Sequence, residues 1–371
     1  MLKKRESIVL IGAGVIGMLA AVRLAEAGFA VTIVDQGQIG REASWAGGGI
    51  LSPLYPWHYP PELLQLAFYS MSLHHALSSE LASLTNIDPQ WTLSGLRIIE
   101  GEKEILPDDI STWGQNWGLN WQVSDCKATT KKILWCPEVA QVRNPRLLSA
   151  LSERCRQLDI KLLEHTEITG FKRKNEQLLG VESNQGFIAS DKAIVTAGAW
   201  TGKLLEQIDI HLQIYPVRGQ MLLLQGSPGM LDSMLMQDNH YLVQRQDGLI
   251  LAGSTSENVQ FDKSLTPLAR QTLWNFARDQ LSGLTSSSIL RQWSGLRPGS
   301  QESVPYIGPL PGWNGLYVAA GHFRYGLTNA PATAEILTCL LTDKAPPIDT
   351  TPYNPATYYQ NGGPGLPLIT G

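Results

Sequence analysis

Charge, cysteine and long apolar runs are all scarce in this sequence, and each scarcity excludes something. Charged residues make up 17% of the 371, and the formal net charge is −4. Nucleic-acid binding needs clustered lysine and arginine to neutralise phosphates; no basic stripe is present, so no nucleic acid is expected. Four cysteines, Cys126, Cys136, Cys155 and Cys339, are too few for a disulfide scaffold. None stands in a C-x-x-C pair, and the seven histidines include no H-E-x-x-H, so no metal site is expected. His74 and His75 would point about 100° apart on a helix, too far to share an ion. The default setting is reducing and cytoplasmic, with a single Cys126–Cys136 bridge left open. No run reaches the ~18–20 apolar residues of a membrane span, so no integral membrane segment is expected.

What is present is apolar surface and glycine. Hydrophobic residues make up 43% of the chain, beside 35 glycines, 22 prolines and 11 tryptophans. That supplies sizeable cores and excludes a disordered protein, a coiled coil or a collagen-like chain. At ~150 residues per domain, the length suggests about two to three domains of a soluble globular enzyme.

Lys3, Lys4 and Arg5 precede an uncharged run from Ile8 to Val22, the outline of a secretory signal. Gly12, Gly14 and Gly17 interrupt that run, and it continues into a regular strand–helix–strand pattern. The pattern predicts a buried strand over 7–11, a helix to Ala27 with Gly28 at its C-cap, and a second strand over 29–34. Residues 40–49 read as a small-residue loop. Pro61 opens a long helix to about Leu84, with Leu64, Phe68, Met71 and His75 on its apolar face. Asn144 and Pro145 form an N-cap and N1 pair for a helix to about Leu158. Strands are expected near 160–165, 168–174, 177–183 and 186–196, and again between 212 and 254 with a hairpin at Asp247-Gly248. A helix over about 264–281, a strand over 316–320 and a helix over 327–341 follow. Residues 90–140 carry no clear pattern, and the tail after Lys344 is expected to wrap the surface or fray.

Gly12-Ala13-Gly14-Val15-Ile16-Gly17 is a G-x-G-x-x-G motif, weak when it stands alone. Here it follows a strand and opens a helix, and Asp35 lies 18 residues past Gly17 at the end of the next strand. That context reads as a dinucleotide fingerprint. The glycines let backbone approach a pyrophosphate whose charge meets the helix N-terminus. Asp35 would accept from a ribose 2′-hydroxyl and repel a 2′-phosphate, which disfavours NADP. The fingerprint does not separate NAD from FAD.

Four further stretches do. Residues 40–49 (GREASWAGGG), 216–220 (PVRGQ), 296–299 (LRPG) and 320–326 (AGHFRYG) join the fingerprint in an order that resembles the D-amino-acid oxidase family of flavoproteins, over about residues 7–342. Within it, the chain is most similar to the glycine-oxidising branch that serves thiazole and thiamine biosynthesis. The resemblance implies an FAD-binding Rossmann-type α/β domain of the two-dinucleotide-binding, glutathione-reductase-like kind, interleaved with an α+β substrate domain. The expected segments are 1–55, 141–208 and 293–345 for the first, 56–140 and 209–292 for the second, and 346–371 for a tail.

For the cofactor, the resemblance places Gly12, Gly14, Val15, Ile16 and Gly17 at the pyrophosphate, and Asp35 and Gln36 at the adenosine ribose. Arg41, Ala43, Ser44, Ala46, Gly47, Gly48 and Gly49 run beside the phosphates and isoalloxazine. Ile168 meets the adenine, with Ala197, Gly198 and Trp200 nearby. Gly321, His322, Arg324, Tyr325, Gly326, Leu327 and Thr328 face the pyrimidine edge of the flavin, where a helix N-terminus supplies positive potential. Core packing is the competing reading for His322 and Phe323. Two departures matter: Asp35 stands where many relatives carry Glu, and no cysteine lies between Trp293 and Gly308, so the FAD is expected to be non-covalent.

For the substrate, the resemblance implies that Arg297 pairs with a carboxylate and Tyr241 donates a hydroxyl to it, with Arg324 on substrate, flavin or loop. A surface ion pair is the alternative for Arg297, and half-buried packing for Tyr241. The implied reaction is hydride transfer from glycine, sarcosine or a small D-amino acid to flavin N5. It gives glyoxylate or another 2-oxo acid and ammonia or an amine, while molecular oxygen becomes hydrogen peroxide. A dehydrogenase with another acceptor, and a non-catalytic flavin-binding protein, are the alternatives. A homo-oligomer, dimer or tetramer, is also expected.

Overall fold

Short buried strands alternating with an apolar helix form the first unit of the fold. The computed structural model describes residues 5–101, 107, 109–125 and 131–360. Strand β1 (Ser7–Ile11) leads into helix α1 (Val15–Glu26) and strand β2 (Ala30–Val34). Val9 and Leu10 are fully buried, as residues at the centre of a parallel sheet covered on both faces must be. Six strands make that sheet, in the order Tyr306–Pro309, Leu316–Ala320, Lys192–Val195, β1, β2, Lys161–Leu163. All pair in parallel except the edge strand Tyr306–Pro309. The run from Ile8 to Val22 is therefore core of this unit, with Val15, Met18 and Leu19 of α1 buried in an apolar cluster shared with residues of helix α2 (Pro61–Thr85).

An eight-stranded sheet forms the second layer. Its neighbours run β6 (Ile289–Gly299), β3 (Tyr215–Leu224), β5 (Ile250–Gly253), β4 (His240–Gln244), Met234–Gln237, Leu96–Ile99, Lys132–Cys136 and Gln122–Asp125. A three-stranded meander, Ile168–Lys174 to Gly186–Ala189, packs beside the first sheet. No helix among the described residues is long and apolar enough to cross a membrane.

Several elements differ from the sequence reading. The loop over 40–49 contains a helical turn, Ala43–Ala46. On α2 the buried histidine is His74, while His75 is exposed. Asn144 is the first helical residue rather than the cap; its Nδ2 donates to the Ser44 carbonyl at 2.7 Å, a tertiary use that outcompetes capping. The predicted strand over 186–196 breaks at Ser190 and Asp191, where the chain leaves the meander for the parallel sheet. Residues 90–140, unassigned from sequence, supply three strands of the large sheet. The expected boundary at 292/293 falls inside β6, which pairs with β3 along its length, and α2 packs in the first core while its Phe68 and Met71 reach the core of the second sheet. Cys126 lies outside the described residues; Cys136 and Cys155 are free and buried. The tail to residue 360 does wrap the surface, with Tyr353 buried and its hydroxyl donating to the Glu62 carbonyl at 2.8 Å.

Helix α3 (Gly326–Leu341) contains Pro331, which has no N–H and leaves the Leu327 carbonyl without its intrahelical donor. Helix α2 fits this break. Ser70 Oγ accepts from the Ala332 amide at 3.0 Å, and His74 Nε2, one turn later, donates to the Thr328 carbonyl at 3.0 Å. Burial pulls His74 from the usual 6.5 down to about 4, so it stays neutral near pH 7. The unfolded chain therefore takes up this proton first. Stability tied to neutral His74 is present above pH 6.5 and is lost progressively as the pH falls toward 4. His74→Leu is expected to cost about 1–3 kcal/mol at pH 7 in urea unfolding and to flatten that acid-side slope. An unchanged slope in the variant would assign the pH dependence to other groups.

Candidate active site

The G-x-G-x-x-G turn is held by contacts that only glycine permits. Gly12 has φ +113°, and a Cβ there would run into the Thr196 carbonyl. A Cβ on Gly17 would strike the Gly12 carbonyl, so the third glycine brings α1 against its own entry turn. Helix α1 has no acidic residue in its first turn and no side-chain cap from Gly14. Its positive end is thus open to an anion, with Ser44 Oγ accepting from the Val15 amide at 3.0 Å. At the end of β2, Asp35 accepts from the Ala13 and Gly37 amides, both at 2.8 Å. A carboxylate has about four lone-pair sites, so Asp35 is oriented and still able to accept from a ligand.

Gly12, Gly14, Val15, Asp35, Ser44 and Thr196 border a cavity of about 340 Å³. The large sheet supplies another part of its wall. Tyr241 of β4 is buried, its ring wedged between Gly48 and Gly253, and its hydroxyl donates to Met221 Sδ at 3.2 Å. Arg297 of β6 lies against Gly219, where any Cβ would displace the guanidinium. Its Nη1 donates to the Thr255 carbonyl at 3.0 Å and its Nη2 to Ser254 Oγ at 2.8 Å, both neutral partners. Burial, with Arg324 adding repulsion, pulls Arg297 from 12.5 down to about 10, so it remains charged at neutral pH. Arg218, in the same sequence neighbourhood as Gly219, differs: it is paired with Glu257 at 2.5 Å and Asp262 at 2.6 Å and is structural.

The N-terminus of α3 completes the wall. Gly326 and Leu327 line the cavity, and this helix too has no side-chain cap and no acidic residue in its first turn. His322 is buried, with Nε2 3.0 Å from Thr333 Oγ1, and burial pulls it down to about 3. It is a neutral imidazole held in the core, and it also borders the cavity. Tyr325 packs edge-on to Tyr59 at 5.1 Å, and burial pushes its hydroxyl well above the ordinary range.

Of the residues singled out from sequence, Gly12, Gly14, Val15, Ile16, Asp35 and Gln36 line the cavity. So do Ala43, Ser44, Ala46, Gly47, Gly48, Gly49, Ile168, Ala197, Gly198 and Trp200, and likewise Tyr241, Arg297, His322, Arg324, Tyr325, Gly326 and Leu327. Four do not. Gly17 serves helix packing, Arg41 is exposed, the Gly321 carbonyl accepts from Ser300 Oγ at 2.5 Å, and Thr328 is buried with Oγ1 donating to the Ile50 carbonyl at 3.3 Å. Sequence reasoning missed Asn144, Thr196, Met221 and Ser254, which also line it. Met221 carried a usable signal, since it sits two residues beyond Gly219 on the same face of β3. Thr196 carried none, because its contact with Gly12 depends on pairing between distant strands.

Gly12→Ala and Gly28→Ala separate strain from collision. Gly28 also has positive φ, +99°, but no atom lies within 4 Å of a Cβ there. Gly28→Ala is expected to cost ~1–2 kcal/mol, and Gly12→Ala at least ~2 kcal/mol more because the Thr196 backbone cannot move aside. Denaturant midpoints measure both; equal losses would remove the proposed collision.

A family profile described as FAD dependent oxidoreductase (DAO) matches residues 7–340. The glycine oxidase of Pseudomonas aeruginosa is 39% identical over 362 residues, covering 95% of this chain and 99% of that protein. The bifunctional protein ThiO/ThiG of Synechocystis is 28% identical over 91% of this chain and 52% of its own length. The crystal structure of glycine oxidase from Geobacillus kaustophilus superposes with a TM-score of 0.88 at 26% identity, covering 95% of this chain and 98% of that one. With the family match spanning nearly the whole chain and the glycine-bounded cavity at its centre, this chain belongs to the D-amino-acid oxidase family of FAD dependent oxidoreductases.

Proposed function

We propose that this chain is an FAD-dependent oxidase of glycine, acting also on sarcosine and small D-amino acids. The products are glyoxylate or another 2-oxo acid, ammonia or an amine, and hydrogen peroxide. The observation that carries this reading is Arg297, a guanidinium with only neutral partners facing the same cavity as an open dinucleotide cradle. The residues fit FAD: glycine seats that a Cβ would fill, a helix N-terminus with no acidic residue in its first turn for the pyrophosphate, and an oriented Asp35 for a ribose. None of the three cysteines among the described residues lines the cavity, which supports non-covalent binding. Bound FAD supplies the hydride acceptor.

The chain's own residues bind and orient. Arg297 spends two of its five N–H groups on Thr255 and Ser254, leaving donors for a substrate carboxylate. Tyr241 donates to a thioether, a weak acceptor it can exchange for a carboxylate oxygen. The Tyr241 ring and Met221 narrow the space above them. One methylene is worth only about 1–3 kcal/mol in such a pocket, so small D-amino acids are accepted beside glycine. His322, neutral and held by Thr333, offers no general base; the substrate amine must arrive without its proton.

We infer further that the first sheet with its helices is the FAD domain and the large sheet the substrate domain. The shared name ThiO among relatives supports a place in thiazole and thiamine biosynthesis. A homo-oligomer, dimer or tetramer, in the cytoplasm is part of the same reading.

The purified protein is expected to show flavin absorbance, to bleach with glycine under nitrogen, and to regain colour with peroxide in air. Bleaching without peroxide in air would replace the oxidase with a dehydrogenase; no flavin band, before or after adding FAD, would overturn the reading. Arg297→Leu is expected to raise the KM for glycine about 100-fold while FAD stays bound, since truncating one partner of a buried charged pair costs 2–5 kcal/mol or so. An unchanged KM would remove Arg297 from its role. The pH profile of kcat/KM should rise with deprotonation of the substrate amine and show no histidine inflection between about pH 5 and 8.

A further inference from the structure

Arg245 is a buried cation with no carboxylate partner among the described residues. It follows β4 and is 7% exposed. Its Nη1 donates to Gln141 Oε1 at 2.5 Å and to the Val142 carbonyl at 2.9 Å, and its Nη2 to the Gly48 carbonyl at 2.9 Å. The acid nearest in sequence, Asp247, is taken by Arg143 at 2.7 Å. Burying a charge among neutral acceptors is costly, so a role beyond packing is called for.

The geometry of the peptide shows what that role is. Gly48 and Gly49 line the main cavity, whereas Arg245 lines a separate one of about 270 Å³, so it stands behind the wall. In a planar trans peptide the C=O and N–H point in opposite directions. With the Gly48 carbonyl drawn back to Arg245, the Gly49 amide of that same peptide turns toward the cavity. No protein acceptor meets that amide among the described residues. The next carbonyl, of Gly49, is also drawn back, accepting from the Val142 amide at 2.9 Å, and Val142 is itself held by Arg245.

We propose that Arg245 is a positioning residue for the cofactor loop. Its fork pins the Gly48 carbonyl and so aims the Gly49 amide at the ligand, and its unpaired charge backs that amide as counter-charge to an anionic occupant. This inference rests on the FAD reading above. The side chain touches neither substrate nor cofactor; it acts through one peptide plane.

The test uses holoenzyme and sulfite, an anion whose binding bleaches the visible band of protein-bound FAD. Arg245→Met is expected to weaken sulfite binding about tenfold or more. Arg245→Lys keeps the charge but cannot bridge the three acceptors; it is expected to fall between, about threefold weaker than wild type. Where Arg245→Met does not fold, Arg245→Lys decides. Sulfite affinity and visible spectrum equal to wild type in a folded variant would overturn the proposal, even if stability had dropped. A wild-type chain that holds no flavin would instead overturn the function on which the inference rests.

Discussion

The dinucleotide end of the molecule depends on the approach of Gly12 to Thr196. Thr196 donates its amide to the Ile11 carbonyl at 2.8 Å and its hydroxyl to the Gly12 carbonyl at 2.8 Å, while the Gly12 amide donates to Val34 at 2.8 Å. The turn after β1 is therefore stitched to both neighbouring strands of the parallel sheet. That fixes where α1 begins, and with it the direction of the helix dipole. Asp35, accepting from Ala13, closes the same turn from the other side. One side chain at position 12 would force apart the strands that hold all of this together.

The other end is organised by charge left without a partner. Arg297 and Arg245 both sit among neutral acceptors, whereas Arg218 is fully paired. Taking a cation out of water among neutral acceptors is costly, and neither arginine has the carboxylates that offset this cost at Arg218. Glycines make this possible: Gly219 seats the Arg297 fork, and Gly48 with Gly253 seats the Tyr241 ring. Helices α1 and α3 meet the cavity with N-termini that carry no acidic residue in the first turn, so positive potential enters from backbone as well as side chains. The α2 clamp on the Pro331 break holds the second of these in place.

Much of this was legible locally. The βαβ unit and its fingerprint follow from a buried strand, three glycines and an acid at fixed spacing, because their geometry is set within one supersecondary unit. Arg297, Tyr241 and the residues around 320–327 were reached through resemblance rather than pattern. The exchange of His75 for His74 shows the limit of periodicity: α2 buries a wide face, and only packing against α3 decides which histidine it includes. Residues 90–140 stayed unassigned because their short strands gain meaning only as members of the large sheet.

The sequence by itself determined the strand–turn–helix and its glycines, since glycine freedom and strand burial are properties of neighbouring residues, while the Thr196 contact that holds the turn came from the fold. It did not determine which arginines meet carboxylates and which sit among neutral acceptors. Arg218, Arg245 and Arg297 look alike in sequence, each beside strand residues. Only the tertiary structure brings Glu257 and Asp262 to the first, leaves the second behind the peptide of Gly48, and turns the third toward the cavity. The physical reason is that charge compensation depends on groups tens to hundreds of positions away, and the fold alone sets those distances.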